Sequence, residues 1–200
     1  MKIVLATWNK SKKQWLSKGL KSLNFPVFTL ENYHHTDISD VEETGDTCED
    51  NALLKVQAIP NDGESIIIGE DSGLFVNALN GFPGVKTARW MEGTDDDRAE
   101  QIVTKMNNES NREAYFQSAI AAIFPNGQSV VVEAKLHGEI TTEKRGDKDS
   151  GYSQIFELSS GKTIAEMEAG EFEQNDHRRM AIEKLKAMIE GNAYAAKSEY

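Results

Sequence analysis

The chain has 200 residues, and its 38% hydrophobic content is enough to bury a real core and excludes wholesale disorder. With 33 acidic against 22 basic residues the net charge is −11 at pH 7, which argues against a general nucleic-acid binder, because such a surface repels a polyanion. The single cysteine, Cys48, excludes an intramolecular disulfide scaffold and a multi-cysteine zinc site. Residues 1–20 read as neither a signal peptide nor a membrane span, and no later segment approaches the ~20 apolar residues a span needs. The expectation is a soluble, cytoplasmic protein.

Residues 3–6 are a short apolar run that predicts a buried strand, and residues 7–11 are polar and turn-like. Trp15, Leu16, Leu20 and Leu23 then recur at helical spacing over residues 12–23. The loop between this strand and helix stands where α/β proteins place ligands, since helix N-terminal N–H groups favour anions. Thr47 with Asp50 approximates a capping box, and Ala52, Leu53, Val56 and Ile59 continue a helical stripe. Residues 66–68 read as a strand that ends in Gly69-Glu70-Asp71-Ser72-Gly73, which puts two carboxylates at the strand terminus or forms an ordinary acidic turn, and residues 74–79 as a further strand or irregular chain. Gly81-Phe82-Pro83-Gly84 is a rigid loop by composition.

Thr94 before Asp95, Asp96 and Asp97 is a strong helix start, with acids placed against the macrodipole. Residues 115–124 and 129–140 are β-rich and joined by Pro125-Asn126-Gly127, a hairpin turn. Residues 176–190 form the last predicted helix, and the tail after Gly191 is expected to fray. The predicted class is mixed α/β with a long-stranded central sheet, one domain over residues 1–190 and a tail over 191–200.

Charge is distributed unevenly. Residues 1–30 hold six lysines and no acid, and residues 31–50 hold eight acids and no Lys or Arg. A solvated basic helix followed by an acidic loop explains this, and so does a lysine-bearing anion site beside carboxylates that hold Mg²⁺. A nucleoside triphosphate requires both halves of the second arrangement. Adjacent Glu70 and Asp71 could hold a divalent metal or take a proton from water. Asn51 and Lys55 fall on one helix face at i, i+4 spacing.

His177, Arg178 and Arg179 open the last helix, where basic groups oppose the macrodipole unless an anion compensates. His34 and His35 read as part of a solvated loop. Gly161-Lys162-Thr163 is not a phosphate-binding Walker loop, because Phe156 stands where that motif needs a glycine.

Taken in order, several blocks resemble one family. They are Leu5-Ala6-Thr7-x-Asn9-x-x-Lys12, Glu42-Glu43-Thr44-Gly45-x-Thr47, Asn51-Ala52-x-x-Lys55, Asp71-Ser72-Gly73-Leu74, Ala78-Leu79-x-Gly81-x-Pro83-Gly84-Val85, Ala88-Arg89, Gly151-Tyr152, Ile155-Phe156, Gly161-Lys162-Thr163-x-Ala165-Glu166 and His177-Arg178. This series is similar to the inosine triphosphate pyrophosphatases over almost the whole chain.

The resemblance implies an elongated mixed sheet with two lobes around a nucleotide cleft, a homodimer, and Mg²⁺-dependent cleavage of deaminated purine triphosphates (ITP, dITP, XTP) to monophosphate and pyrophosphate. It implies that Thr7, Asn9, Lys12 and Lys55 meet the triphosphate and that Glu43 and Asp71 hold the metal, with Glu70 as a further candidate. It also makes Asp71 the general base, sets Ser72, Gly151 and Tyr152 against substrate, and brings His177 and Arg178 to the purine.

The departures concentrate in the base-reading segment. Ser150 replaces the family's stacking aromatic, Ser153 an acid, Phe172 a lysine and Asp176 a serine, while Glu70 replaces an aspartate. Phe172 or Tyr152 could supply the missing ring. The same reaction on another modified or ordinary nucleotide, or nucleotide binding with little catalysis, are the alternative readings.

Overall fold

A computed structural model describes residues 1–33, 38 and 40–197. The histidine pair 34–35 and Asp37 therefore lie outside the described residues. Strands β1 (Lys2–Leu5), β2 (Val27–Thr29), β3 (Ser65–Val76), β4 (Pro83–Gly84), β5 (Glu113–Ile123), β6 (Ser129–Ile140) and β7 (Phe156–Glu157) form one mixed sheet. Its order is β2-β1-β3-β5-β6-β7, with β4 paired to β3. The helices are α1 (Lys10–Leu20), α2 (Cys48–Gln57), α3 (Asp95–Lys105), α4 (Ala169–Glu173) and α5 (His177–Lys197). Among the described residues no helix is long and apolar enough to cross a membrane.

β1 lies parallel to both β2 and β3, with Ile3 opposite Val27 and Ile66. Its three buried residues are apolar without alternation, as expected of a parallel strand covered on both faces. The predicted hairpin joins β5 to β6: Gly127, at φ +83°, donates its N–H to the Phe124 carbonyl at 2.9 Å. Thr94 caps α3 in a reciprocal capping box with Asp97, as its sequence signature requires.

Two sequence expectations are corrected. β3 does not end at residue 68. It runs unbroken through Gly69-Glu70-Asp71-Ser72-Gly73, so the two acids stand in the middle of a twelve-residue strand rather than in a turn. The glycines that suggested a turn mark close approach instead. A Cβ on Gly69 would lie 3.0 Å from the Ala52 carbonyl oxygen and from Lys55 Cβ, and one on Gly73 would lie 2.3 Å from the Gly84 carbonyl oxygen. The second correction concerns the C-terminus. α5 continues through the Gly191-Asn192 stop signal to Lys197, because no proline follows and Ala193, Ala195 and Ala196 are strong helix formers.

The chain divides into two compact units. The first comprises Met1–Asp71, Ser118–Ala134 and Arg178–Tyr200, and the second Ser72–Gln117 and Lys135–His177. In the first, Ile3, Leu5, Leu16, Ile66, Ile120 and Leu185 belong to one buried cluster. Each such side chain contributes about 1.5–3 kcal/mol relative to exposure. In the second, Leu74, Ile102, Met106, Leu136, Ile155 and Phe156 do the same. The Gly-Lys-Thr segment serves the second unit structurally. Lys162 pairs with Glu171 at 2.9 Å, and Thr163 caps the 3₁₀ turn Ile164–Glu166.

Candidate active site

The site residues of the first unit are delivered by three elements. The first is the start of α1. Asn9 is its N-cap, accepting the Lys12 backbone N–H at 3.0 Å, while the Asn9 N–H donates to Thr7 Oγ1 at 3.2 Å. Thr7 is buried. The first turn of α1 carries Lys10, Lys12 and Lys13 and no acid, a placement that opposes the macrodipole and that an anion would relieve. Thr7, Asn9 and Lys12 thus adjoin a helix end whose N–H groups and lysines all favour negative charge.

The second element is α2 with the loop before it. Thr47 caps the helix by accepting the Asp50 N–H at 3.1 Å, and its hydroxyl donates to the Asp50 carboxylate at 2.7 Å, so only half of the predicted capping box forms. Asn51, fully buried, folds the loop back. Its Oδ1 accepts the Gly45 N–H at 2.8 Å, and its Nδ2 donates to the Gly45 carbonyl at 3.4 Å and to Asp71 Oδ2 at 3.3 Å. Gly45 permits this: a Cβ there would lie 2.6 Å from Asp50 Cβ and 2.8 Å from Asn51 Oδ1. The loop that carries Glu43 is therefore tied to the strand that carries Asp71.

The third element is the middle of β3, where Gly69 lets α2 approach closely and brings Lys55 over Asp71. The Lys55 ammonium lies 2.6 Å from Glu43 Oε1, 2.9 Å from Asp71 Oδ1 and 3.0 Å from the Glu70 carbonyl oxygen. Lys12 lies 2.9 Å from Glu70 Oε2 and 3.7 Å from Asp71 Oδ1. Two lysines and three carboxylates thus share one small volume, largely withdrawn from water.

Burial, the largest influence, pushes the Asp71 carboxyl up, and the charge of Glu43 adds to it. Lys55 and Lys12 oppose this, and the net direction is upward. A carboxylate raised in this way is better matched to accepting a proton near neutral pH. Burial alone would lower the Lys12 ammonium, but Glu70 and Asp71 outweigh it and hold it above its ordinary value.

Glu43 and Asp71 direct hard oxygens at one cationic position, held here by the Lys55 ammonium. Mg²⁺ takes one or two carboxylates and completes its shell with water and substrate phosphates, so this donor pair fits it. No cluster of three His, Cys, Asp or Glu suited to a metal occurs among the described residues. Glu70, a further metal candidate on sequence grounds, is fully enclosed, with one oxygen facing Lys12 and the other accepting from Ser118 at 2.9 Å.

The remaining candidates belong partly to the second unit. Ser72 is half-buried in β3. Gly151, at φ +64°, donates its N–H to Asp96 Oδ1 at 3.1 Å, and a Cβ there would lie 2.7 Å from Asp95 Cβ. Tyr152 is buried in the second core. Its hydroxyl donates to the Thr87 carbonyl and accepts from Trp90 Nε1, both at 2.9 Å, and burial pushes its pKa up to about 12. It is packed as a core residue and is not free to replace a stacking ring.

Phe172 is half-buried against the same core. Ser150 and Ser153 both bond to Asp149, the first through its N–H at 2.9 Å and the second through its hydroxyl at 2.6 Å. His177 is buried with its ring stacked on Phe116 at 5.4 Å. Arg178 belongs to the first unit, where its guanidinium stands 6.0 Å from the Trp15 ring centroid and its charge acts on Glu70.

Sequence reasoning missed Ser118 and the tie between Asn51 and Asp71. A serine within the apolar run 115–124 was the available signal for the first, since a buried polar group requires a partner. The second needed the depth of α2, which periodicity does not report.

The fold and this cluster define an α/β protein in which two lysines and three carboxylates converge beside a helix N-terminus. Residues 3–188 match the Ham1 family, and the chain belongs to it. A "Non-canonical purine NTP pyrophosphatase homolog" of Halalkalibacterium halodurans is 42% identical over 82% of this chain and 84% of its own length. A "dITP/XTP pyrophosphatase" of Symbiobacterium thermophilum is 35% identical over 94% and 97%. The solved Ham1 protein of Staphylococcus aureus superposes with a TM-score of 0.85 at 33% identity, covering 96% of this chain and all of its own.

Proposed function

We propose that this chain cleaves deaminated purine nucleoside triphosphates (ITP, dITP and XTP) to the monophosphate and pyrophosphate, with Mg²⁺, as a cytoplasmic homodimer. The enzyme class, a nucleoside triphosphate pyrophosphatase acting on a phosphoric anhydride, follows from family membership and from relatives that carry that name. The observation that carries the reading is the lysine–carboxylate cluster, in which Lys55 sits between Glu43 and Asp71 while Lys12 stands on Glu70.

Attack on a polyphosphate is opposed by its own charge, so cations must neutralise the phosphate oxygens before water can approach. Mg²⁺, when bound on Glu43 and Asp71, supplies part of that neutralisation. Lys12 and Lys55 supply the rest, together with the N–H groups at the start of α1 that Asn9 organises. Asp71, its carboxyl raised by burial, orients a water and takes its proton at Oδ1 or Oδ2. By the family resemblance, the His177-Arg178 pair approaches the purine's keto group, with the His177 ring packed on Phe116. A donor left facing the amino group of adenine would cost about 1–3 kcal/mol, so several such donors are needed for strong selectivity.

One observation supports a second reading in which the reaction is kept and the base changes. Ser150 and Ser153 form a small hydrogen-bonded turn on Asp149, where the resembling family presents an aromatic and an acid. Pyrophosphate release measured with Mg²⁺ across ITP, dITP, XTP, GTP, ATP, dUTP and the other dNTPs separates the two. The expected result is a kcat/KM for ITP and XTP at least ~10-fold above that for ATP, the worth of one unpaired donor. GTP, which shares the 6-keto group, reports whether the site also rejects a 2-amino group. A preference for another triphosphate would move the assignment to the second reading, and no release from any would remove the catalytic assignment.

A further inference from the structure

Glu70 is fully enclosed, so it can touch neither a phosphate nor an attacking water. Its two carboxylate oxygens are divided between partners: Oε1 accepts from the Ser118 hydroxyl at 2.9 Å, and Oε2 faces the Lys12 ammonium at 2.9 Å. Its backbone carbonyl accepts from Lys12 at 3.3 Å and from Lys55 at 3.0 Å. A buried carboxylate persists only when its charge is met, and here Oε1 takes the Ser118 hydrogen bond while Oε2, with no hydrogen bond of its own, is balanced by the Lys12 ammonium.

An ammonium has three N–H groups. Glu70 holds the Lys12 ammonium through a hydrogen bond to its backbone carbonyl at 3.3 Å and an ion pair with Oε2 at 2.9 Å, and Asp71 Oδ1 lies 3.7 Å from the same ammonium. Lysine carries a flexible four-carbon stem and no preferred direction of its own, so a phosphate ligand of this type needs an anchor. Ser118, on β5, anchors the anchor.

We propose that Glu70, held by Ser118, is the positioning residue that fixes the Lys12 ammonium beside Asp71, where it meets the triphosphate. This rests on the proposed pyrophosphatase reading. The Glu70 side chain acts on the substrate through Lys12, and Ser118 through Glu70. The extra methylene relative to aspartate lets one side chain reach both partners.

The test is the kinetics of pyrophosphate release, with ITP or the best triphosphate, for wild type, Glu70→Gln, Glu70→Asp, Ser118→Ala, Lys12→Gln and the Lys12→Gln/Glu70→Gln double variant. Glu70→Gln is expected to raise KM by roughly 10–100-fold, the worth of a charge-assisted hydrogen bond, with a smaller change in kcat. Glu70→Asp, which restores the charge but is a methylene short of reaching both partners, recovers only part of that loss. Ser118→Ala shifts KM in the same direction by about 3-fold, because the lost hydrogen bond reaches the substrate only through Glu70 and Lys12. The double variant is no worse than Lys12→Gln alone, because residues acting through one another are not additive.

An unchanged KM in Glu70→Gln, or additive losses in the double variant, would overturn the proposal. Ser118→Ala removes only a hydroxyl and carries the test if Glu70→Gln does not fold; a wild-type KM in it would likewise overturn the proposal. A wild type inactive on every triphosphate would overturn the function itself, and with it this role. An active wild type with an insensitive Glu70 variant would overturn this role alone.

Discussion

Asp71→Asn is expected to lower kcat for pyrophosphate release by about 10²–10⁴-fold, the usual contribution of a positioned general base. The variant should fold, because an amide is isosteric with the carboxylate and its oxygen still accepts from Lys55, now 2.9 Å from Asp71, or from Asn51 at 3.3 Å. Asn51 and Lys55 hold this carboxylate in one orientation, so the loss should appear in kcat more than in substrate affinity. A continuous pyrophosphate-coupled assay at saturating triphosphate and Mg²⁺ measures it. Turnover near wild type would remove Asp71 from the role of base.

Lys55→Met is expected to have the second largest effect, on both stability and catalysis. Lys55 is buried, and its ammonium serves Glu43, Asp71 and the Glu70 carbonyl together. Methionine preserves the stem and removes the charge, leaving two carboxylates close together without their shared cation. Breaking a buried ion pair by removing one partner costs about 3–5 kcal/mol, which urea denaturation would register as a lower midpoint at unchanged slope. Losing a phosphate ligand should in addition lower kcat/KM by ~10²-fold, on the scale of a charged hydrogen bond lost at the transition state. A variant of wild-type stability and activity would show that Lys55 lies outside the functional cluster.

Much of the fold could be read in advance, and the reasons are local. The capping chemistry of Thr94 and Asp97, the turn residues between β5 and β6, and the apolar run of β1 each act over a few residues, so sequence alone reports them. The middle of β3 could not be read in this way. Two acids between two glycines have the composition of a turn, and only the closeness of α2 and β4 explains the glycines and keeps the strand extended.

The cluster of the first unit was legible as a set of residue types: the lysines of α1, the acids before α2, and the pair Glu70-Asp71. What each member does was not. Glu70 and Asp71 are neighbours in sequence with opposite surroundings, because successive side chains of a strand point to opposite faces. One is enclosed between Ser118 and Lys12, and the other meets Lys55 and Asn51. Tyr152 failed as a stand-in for the missing ring for a similar reason. An aromatic in a motif does not declare whether its face is open, and this one is packed and hydrogen-bonded in the second core.

The most direct test of the central claim is the identity of the phosphorus products formed from ITP and Mg²⁺, followed by ³¹P nuclear magnetic resonance as the reaction proceeds. A single pyrophosphate resonance rising with that of the monophosphate is expected. Formation of the diphosphate and inorganic phosphate, or an unchanged triphosphate spectrum, would contradict it.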